Sequence, residues 1–173
     1  MNFARHVLKY LLGTADLGLT FEKSSEGLKL SAFTDSAYAD DKMTGRSSYG
    51  YVLFYGGPLI WSSKRSVWVA LSTCEAELYA LCECLKSVMA VRAALAEIGQ
   101  EKLGSSIVWE DNRAALLHCL NDVTSARTRH IMVRVAALRE ATRAGIIDPR
   151  PIPTDENVAD IFTKLLTEPR CFQ

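Results

Sequence analysis

The run of apolar and polar stretches along this chain predicts an α/β fold: an antiparallel meander and parallel strands in one mixed five-stranded sheet, flanked by helices. Two observations predict it. Three short apolar runs follow one another between Gly27 and Ser62 with only turn-sized gaps, the pattern of a meander. From Ser72 the apolar period lengthens to helical spacing, and two later apolar runs are separated by helical stretches. A strand-helix-strand crossover of that kind brings parallel pairing and helices on the sheet faces.

The elements follow in order. Phe3 to Leu12 carries apolar residues at helical spacing and Gly13 follows as a stop, so a short amphipathic helix is expected there. Gly18 to Phe21 reads as a short additional strand. Gly27 to Phe33 is a strand leading to Asp35, which sits where that strand leaves the sheet. Ser36 to Arg46 is polar, with Asp40-Asp41 and Gly45, and reads as a turn. Tyr49 to Tyr55 is the second strand, closed by Gly56-Gly57, and Leu59 to Ser62 is the third.

Ser72 is a good helix cap with Glu75 three residues on, the capping-box spacing. Leu71, Leu78, Leu81, Leu85 and Met89 mark one face of a helix running to about Ile98. Ile107 to Trp109 is a short strand ending at Glu110 and Asp111, and Arg113 to Leu120 is helical. Arg127 to Ala144 forms an arginine-rich helix. Ile146 to Ile152 is an edge strand, because Pro149 and Pro151 cannot donate ladder hydrogen bonds. A last helix runs from Asn157 to about Leu166.

Composition removes several classes of function. With 173 residues, 49% hydrophobic and 23% charged, the chain fits one globular domain with a real core. The formal net charge is zero, so any nucleic-acid surface has to be a local patch. Cys74, Cys82, Cys84, Cys119 and Cys171 form no C-x-x-C pair, which points to free thiols in a reducing compartment. Cys82 and Cys84 face different directions on one helix and make no metal pair. No apolar run approaches the length of a membrane helix, and Arg5 and Lys9 interrupt the N-terminal one, which is not a signal peptide. A cytosolic or nuclear setting without a membrane is expected.

Four acids come from four separate elements: Asp35, Glu77, Asp111 and Asp160. Each has a plainer reading when taken singly. Asp35 is a strand-end turn acid, Asp111 a helix cap, and Asp160 a first-turn acid favoured by the helix dipole. Together they suit hard divalent cations, which take oxygen ligands. Several elements must contribute such ligands, because neighbours on one strand point to opposite faces. Glu75 and Glu77 are equally placed on their helical wheel, and periodicity does not choose between them.

At this point the blocks TDSAYADDKMTGRSSYGYVLFYGGPLIWSSKRS, VALSTCEAELYAL, EDNRAAL, RTRHI and PTDENVADIFTKLL resemble, in order, the ribonuclease H domain of copia-type retrotransposon Pol polyproteins. The resemblance covers Leu28 to Leu166 and implies a ribonuclease H-like fold. It implies that the RNA strand of an RNA–DNA hybrid is hydrolysed with two Mg²⁺ or Mn²⁺ ions held by Asp35, Glu77, Asp111 and Asp160. It favours Glu77 and leaves Glu75 to the capping box. It also implies that residues 1–26 are the tail of a reverse-transcriptase connection, 27–168 the ribonuclease H-like domain and 169–173 a C-terminal tail. The partners are then the hybrid and the reverse-transcriptase domain of the same polyprotein, in cytoplasmic virus-like particles or the nucleus.

Residues suited to phosphate or 2′-hydroxyl contacts are Ser36, Ser47, Ser62, Lys64, Asn112, Arg127, Arg129 and His130, with Arg134, Arg139 and Arg143 further along the arginine-rich helix. Two features of many cellular ribonucleases H are missing: the loop 153–157 has no histidine, and the link from Leu120 to Arg127 is too short for an extra basic helix. Cys74 stands where the family pattern has threonine. A competing reading is an inactive retroelement remnant that binds nucleic acid or supports a polymerase.

Overall fold

The structure, a computed structural model, describes residues 2–23, 27–100, 103–121 and 131–164. Its elements are α1 (Asn2–Gly13), β1 (Ser31–Ala37), β2 (Ser48–Phe54), β3 (Pro58–Arg65), α2 (Thr73–Glu97), β4 (Ser106–Glu110), α3 (Arg113–Leu120), α4 (Met132–Arg143) and β5 (Ile147–Pro151), then two 3₁₀ turns at Thr154–Glu156 and Val158–Phe162. The strands form one sheet in the order β3-β2-β1-β4-β5. β1 and β3 pair antiparallel with β2, whereas β4 pairs parallel with both β1 and β5. The mixed sheet is the expected one.

Three expectations are corrected. No strand forms over 18–21. That stretch instead runs along the β2–β3 corner, where the Glu22 N–H donates to the Gly56 carbonyl at 2.7 Å. β1 starts at Ser31 rather than Gly27 and continues through Asp35 to Ala37. The last helix, described as far as Lys164, is 3₁₀ rather than α: Asp160 N donates to Asn157 O and Thr163 N to Asp160 O, both three residues back. Residues 127–130 of the expected arginine-rich helix lie outside the described residues.

The core lies between the sheet and α2, α3 and α4. Leu30, Ala32, Tyr49, Tyr51 and Leu53 on one sheet face meet Leu78, Leu81, Leu85 and Val88 of α2. The buried stripe of α2 differs from the expected one. Leu71 precedes the helix and is 72% exposed, and Met89 is 51% exposed. The stripe advances alternately by three and four residues, through Leu78, Leu81, Leu85 and Val88, and this keeps one face of a long helix on the sheet. The stripe continues to Val91 and Leu95, and Arg92 beside it turns its guanidinium onto the carbonyls of Gly104 and Leu103 at 2.7 and 3.3 Å, fastening α2 to the start of β4. The 3₁₀ turns sit on the opposite sheet face, beside the ring cluster of Phe33, Phe54 and Trp109.

The start of α2 shows the expected capping. Ser72 Oγ accepts the Glu75 N–H at 3.2 Å. Glu75 reaches back one residue further than in the usual box and accepts the Leu71 N–H at 2.8 Å. Ser72→Ala is expected to lower unfolding stability by about 1 kcal/mol in urea titrations. An unchanged midpoint would show that tertiary packing alone holds this end.

Candidate metal centre

Sheet register places the first two acids. β1 and β4 run parallel and their last paired residues are Phe33 and Trp109. Two residues further along each strand stand Asp35 and Asp111, at the carboxyl end of the parallel pair, where sheets of this kind place their sites. Asp35 is nevertheless fixed, because it still pairs with Gly50 of β2. Glu77 enters from the second turn of α2. Carboxylate oxygens of Asp35, Glu77 and Asp111 all lie within 4.8 Å of one another. Glu77 rather than Glu75 is therefore the helix acid that faces the strand ends.

Neighbouring residues take over the plainer roles of the acids. Asn112, not Asp111, caps α3: its Oδ1 accepts the N–H groups of Ala114 and Ala115 at 3.0 and 3.1 Å. Asn157, not Asp160, caps the last 3₁₀ turn by accepting the Ala159 N–H at 3.1 Å. The Asn157 amide also donates to the Thr34 carbonyl at 2.9 Å, which holds the turn against β1 beside Asp35. Both asparagines satisfy backbone donors that would otherwise compete for the acids.

Asp160 is 3% exposed and lies on the far side of Asp35 from Glu77. Lys164 links the two, its Nζ 3.0 Å from Asp35 Oδ1 and 2.6 Å from Asp160 Oδ1. The Thr163 hydroxyl donates to the other oxygen of Asp35. This arrangement requires Gly50. A Cβ there would stand 2.3 Å from the Cβ of Phe162, so only glycine lets the 3₁₀ turn lie flat on β2.

Burial sets the electrostatics. Asp35 is 1% exposed, and burial raises its carboxyl pKa, partly offset by Thr163 and Lys164. Burial first and the Asp35 charge second push Glu77 up to about 9. One further acid is present that sequence reading passed over. Glu110 is fully buried, and burial and the nearby Glu77 raise it well above the ordinary carboxylate range. Its Oε1 accepts the Asn112 N–H at 3.0 Å. Strand alternation signals it, because Ser106, Val108 and Glu110 share the inward face of β4.

The residues fit divalent cations. Glu77 Oε2 and Glu110 Oε2 are buried without hydrogen-bond partners, a costly state for oxygen acceptors. The cluster of Asp35, Glu77 and Asp111 offers carboxylate oxygens only, the donor set of hard ions such as Mg²⁺ and Mn²⁺.

Among the described residues, those expected to contact nucleic acid are largely occupied within the fold. Ser36 is buried beside Asp35, its hydroxyl unpartnered. Ser47 is 2% exposed and accepts the Ala39 N–H at 3.0 Å, so it closes a turn. The Ser62 hydroxyl is buried, Lys64 is exposed on β3, and the Asn112 oxygen is committed to its cap. Arg127, Arg129 and His130 lie outside the described residues. Arg139, expected on a phosphate-facing surface, is buried, and its Nε donates to the His118 carbonyl at 2.8 Å. Arg134 stacks over Trp68 and Tyr79, 5.2 and 5.1 Å from their ring centroids.

No family model matches the chain. The retrovirus-related Pol polyprotein from transposon RE2 of Arabidopsis thaliana is 30% identical over 167 residues, which cover 96% of this chain and 11% of the relative. The corresponding polyprotein from transposon TNT 1-94 of Nicotiana tabacum is 37% identical over 161 residues, covering 92% and 12%. The chain thus spans about a ninth of the length of the curated relatives it matches. Among solved structures, LC11-RNase H1 isolated from compost superposes with a TM-score of 0.59 at 18% identity, covering 78% of this chain and 92% of that one. The same enzyme in complex with an RNA/DNA hybrid gives 0.56 at 17%, covering 78% and 94%. The prototype foamy virus protease-reverse transcriptase gives 0.51 at 13%, covering 85% and 22%. These likenesses establish the fold.

Two outcomes are expected. Gly50→Ala should push the 3₁₀ turn off β2 and lower the melting temperature by several degrees, since overpacking of a close contact costs about 1–3 kcal/mol; an unchanged melting temperature would show that the contact is dispensable. The raised Glu77 means that the metal-free folded protein keeps a proton that the unfolded chain loses above its ordinary value of 4.5. Stability therefore falls as pH rises from about 5 towards 9. Glu77→Gln should flatten part of that fall in thermal melts without metal, the rest belonging to Glu110 and Asp35; an equally steep fall would remove Glu77 as its source.

Proposed function

From a chain whose homologues are retrovirus-related Pol polyproteins of transposons and whose fold is that of ribonuclease H, we propose a metal-dependent nuclease that hydrolyses the RNA strand of RNA–DNA hybrids during reverse transcription of a copia-type retroelement. The observation that carries this reading is the meeting of Asp35, Glu77 and Asp111, from three separate elements, within 4.8 Å. Asp160, joined to Asp35 through Lys164, completes the proposed ligand set.

In this reading Asp35, Glu77, Asp111 and Asp160 would hold the ions, Asp35 standing both in the group with Glu77 and Asp111 and beside Asp160. Two Mg²⁺ or Mn²⁺ ions held there would supply Lewis acidity for the phosphate charge and lower the pKa of an attacking water. The protein contributes rigidity. β1 is held between β2 and β4, and the asparagine caps keep backbone donors away from the acids. Water adds to the phosphorus as the bond to the 3′-oxygen breaks, leaving a 5′-phosphate and a 3′-hydroxyl. Asp111 is the most exposed of the three clustered acids.

The hybrid as substrate is supported by the hybrid bound to LC11-RNase H1. The likeness to a protease-reverse transcriptase supports a reverse-transcriptase domain as partner, with residues 1–26 as its connecting tail, 27–168 as the nuclease unit and 169–173 as a terminal tail. The cytoplasmic particle or the nucleus is the corresponding setting.

The test is cleavage of a labelled RNA–DNA hybrid, with Mg²⁺, Mn²⁺ or chelator, by the wild type beside Asp35→Asn. Metal-dependent cleavage lost by about 10³-fold or more in Asp35→Asn is expected, as for removal of a group that acts directly on the reacting phosphate. Equal cleavage by both proteins would sink the mechanism, and none by either would point to an inactive remnant. Glu77→Gln should cripple turnover, whereas Glu75→Gln should leave it near wild type and cost only cap stability. The reverse order would move the helix ligand to Glu75.

A further inference from the structure

Resting on the two-ion reading above, we infer that Lys164 is a resident counter-cation of the Asp35–Asp160 half of the centre, which a divalent ion must displace, so that the two halves load at different ion concentrations. The two halves differ in the structure. Between Asp35 and Asp160 stands an ammonium, 3.0 Å from one carboxylate oxygen and 2.6 Å from the other. Among the described residues no cationic side chain pairs with Glu77 or Asp111, Lys164 touches this group only through Asp35, and Glu77 Oε2 has no partner.

An ammonium seated between Asp35 Oδ1 and Asp160 Oδ1 fills the space between the two carboxylates that a divalent ion there would need. Both carboxylates are almost fully buried, so neutralising charge counts for more there than in water. A divalent ion carries twice the charge of the lysine but gains only the difference, since the ammonium must first be drawn away from two short contacts. At the Glu77–Asp111 side no ammonium among the described residues has to be drawn away, and an ion there displaces only the proton that Glu77 holds.

Lys164 is built to leave. Its side chain is 36% exposed, and a flexible four-carbon stem lets the charge move into water without unfolding the 3₁₀ turn. Asn157 keeps the turn on β1 through its bond to Thr34, so Asp160 stays in position when the lysine departs. In ion-poor solution the same lysine offsets the repulsion between Asp35 and Asp160 and supports the metal-free fold.

The test compares wild type, Lys164→Met and Lys164→Arg by calorimetric titration with Mg²⁺ and with Mn²⁺, and by thermal melts in chelator. The wild type should bind two ions, the second more weakly. Lys164→Met should tighten the second step about tenfold or more, as expected when a buried charge competitor is removed, and leave the first within about twofold. Its melting temperature in chelator should drop, while Lys164→Arg keeps both wild-type features. Lys164→Gln, neutral but polar, should show the same tightening if the methionine variant does not fold. Superposable isotherms for wild type and the neutral variants, or a weaker second step in them, would overturn the inference and leave the two-ion reading standing. A wild type that takes up no divalent ion would overturn both.

Discussion

Concentrating negative charge away from water is the constraint on which the rest of this structure depends. Asp35, Glu77, Glu110 and Asp160 are all at most 6% exposed and lie close together. Buried like charges repel strongly and shift one another's protonation, so such a group persists only where the surrounding fold overdetermines it. The β1–β2 ladder fixes Asp35, the packing of α2 fixes Glu77, and the bond from Asn112 to Glu110 fixes the corner beneath Asp111. Lys164 and Thr163 offset part of the cost on one side. On the other side no cation among the described residues offsets it, and burial keeps a proton on Glu77 in place of one, which is the physical argument for an ion there.

Much of this could be read from the sequence, and the reasons are local. The meander, the crossover and the β5 edge follow from apolar period and from proline placement, both properties of neighbouring residues. Ser72 and Glu75 announced the start of α2 by their spacing alone. The four acids were individually ambiguous, because a strand-end aspartate, a cap and a first-turn acid look alike in one dimension. Asn112 and Asn157 resolve the second and third cases by acting as the caps themselves. What could not be read depends on approaches between distant segments. Gly50 meets Phe162 across more than a hundred residues, and nothing local to either predicts it. The stripe of α2 was misjudged at both ends because Leu71 and Met89 fit the helical period but meet no partner. Lys164 and Glu110 did leave signals, the first four residues beyond Asp160 and the second two beyond buried Val108.

The zero net charge of the chain gains a structural meaning. Several arginines already serve the fold. Arg92 ties α2 to the start of β4, Arg139 holds the C-terminal end of α3, and Arg134 stacks on Trp68 and Tyr79. Arg65 and Arg150 pair with nearby aspartates. Guanidinium groups occupied in this way add little to the long-range attraction of a polyanion. Among the described residues, the acid cluster is more developed than any cationic surface.

The two borders of the sheet have unequal chemistry. At β5, Pro149 and Pro151 interrupt the row of backbone donors, and an incoming strand finds no continuous ladder to join. At β3, Pro58 and the charged pair Lys64 and Arg65 guard only the ends. Leu59, Ile60 and Trp61 between them are exposed. Open backbone pairing groups are therefore concentrated on the β3 border, whereas the prolines of β5 withhold two of the donors that a further strand would need.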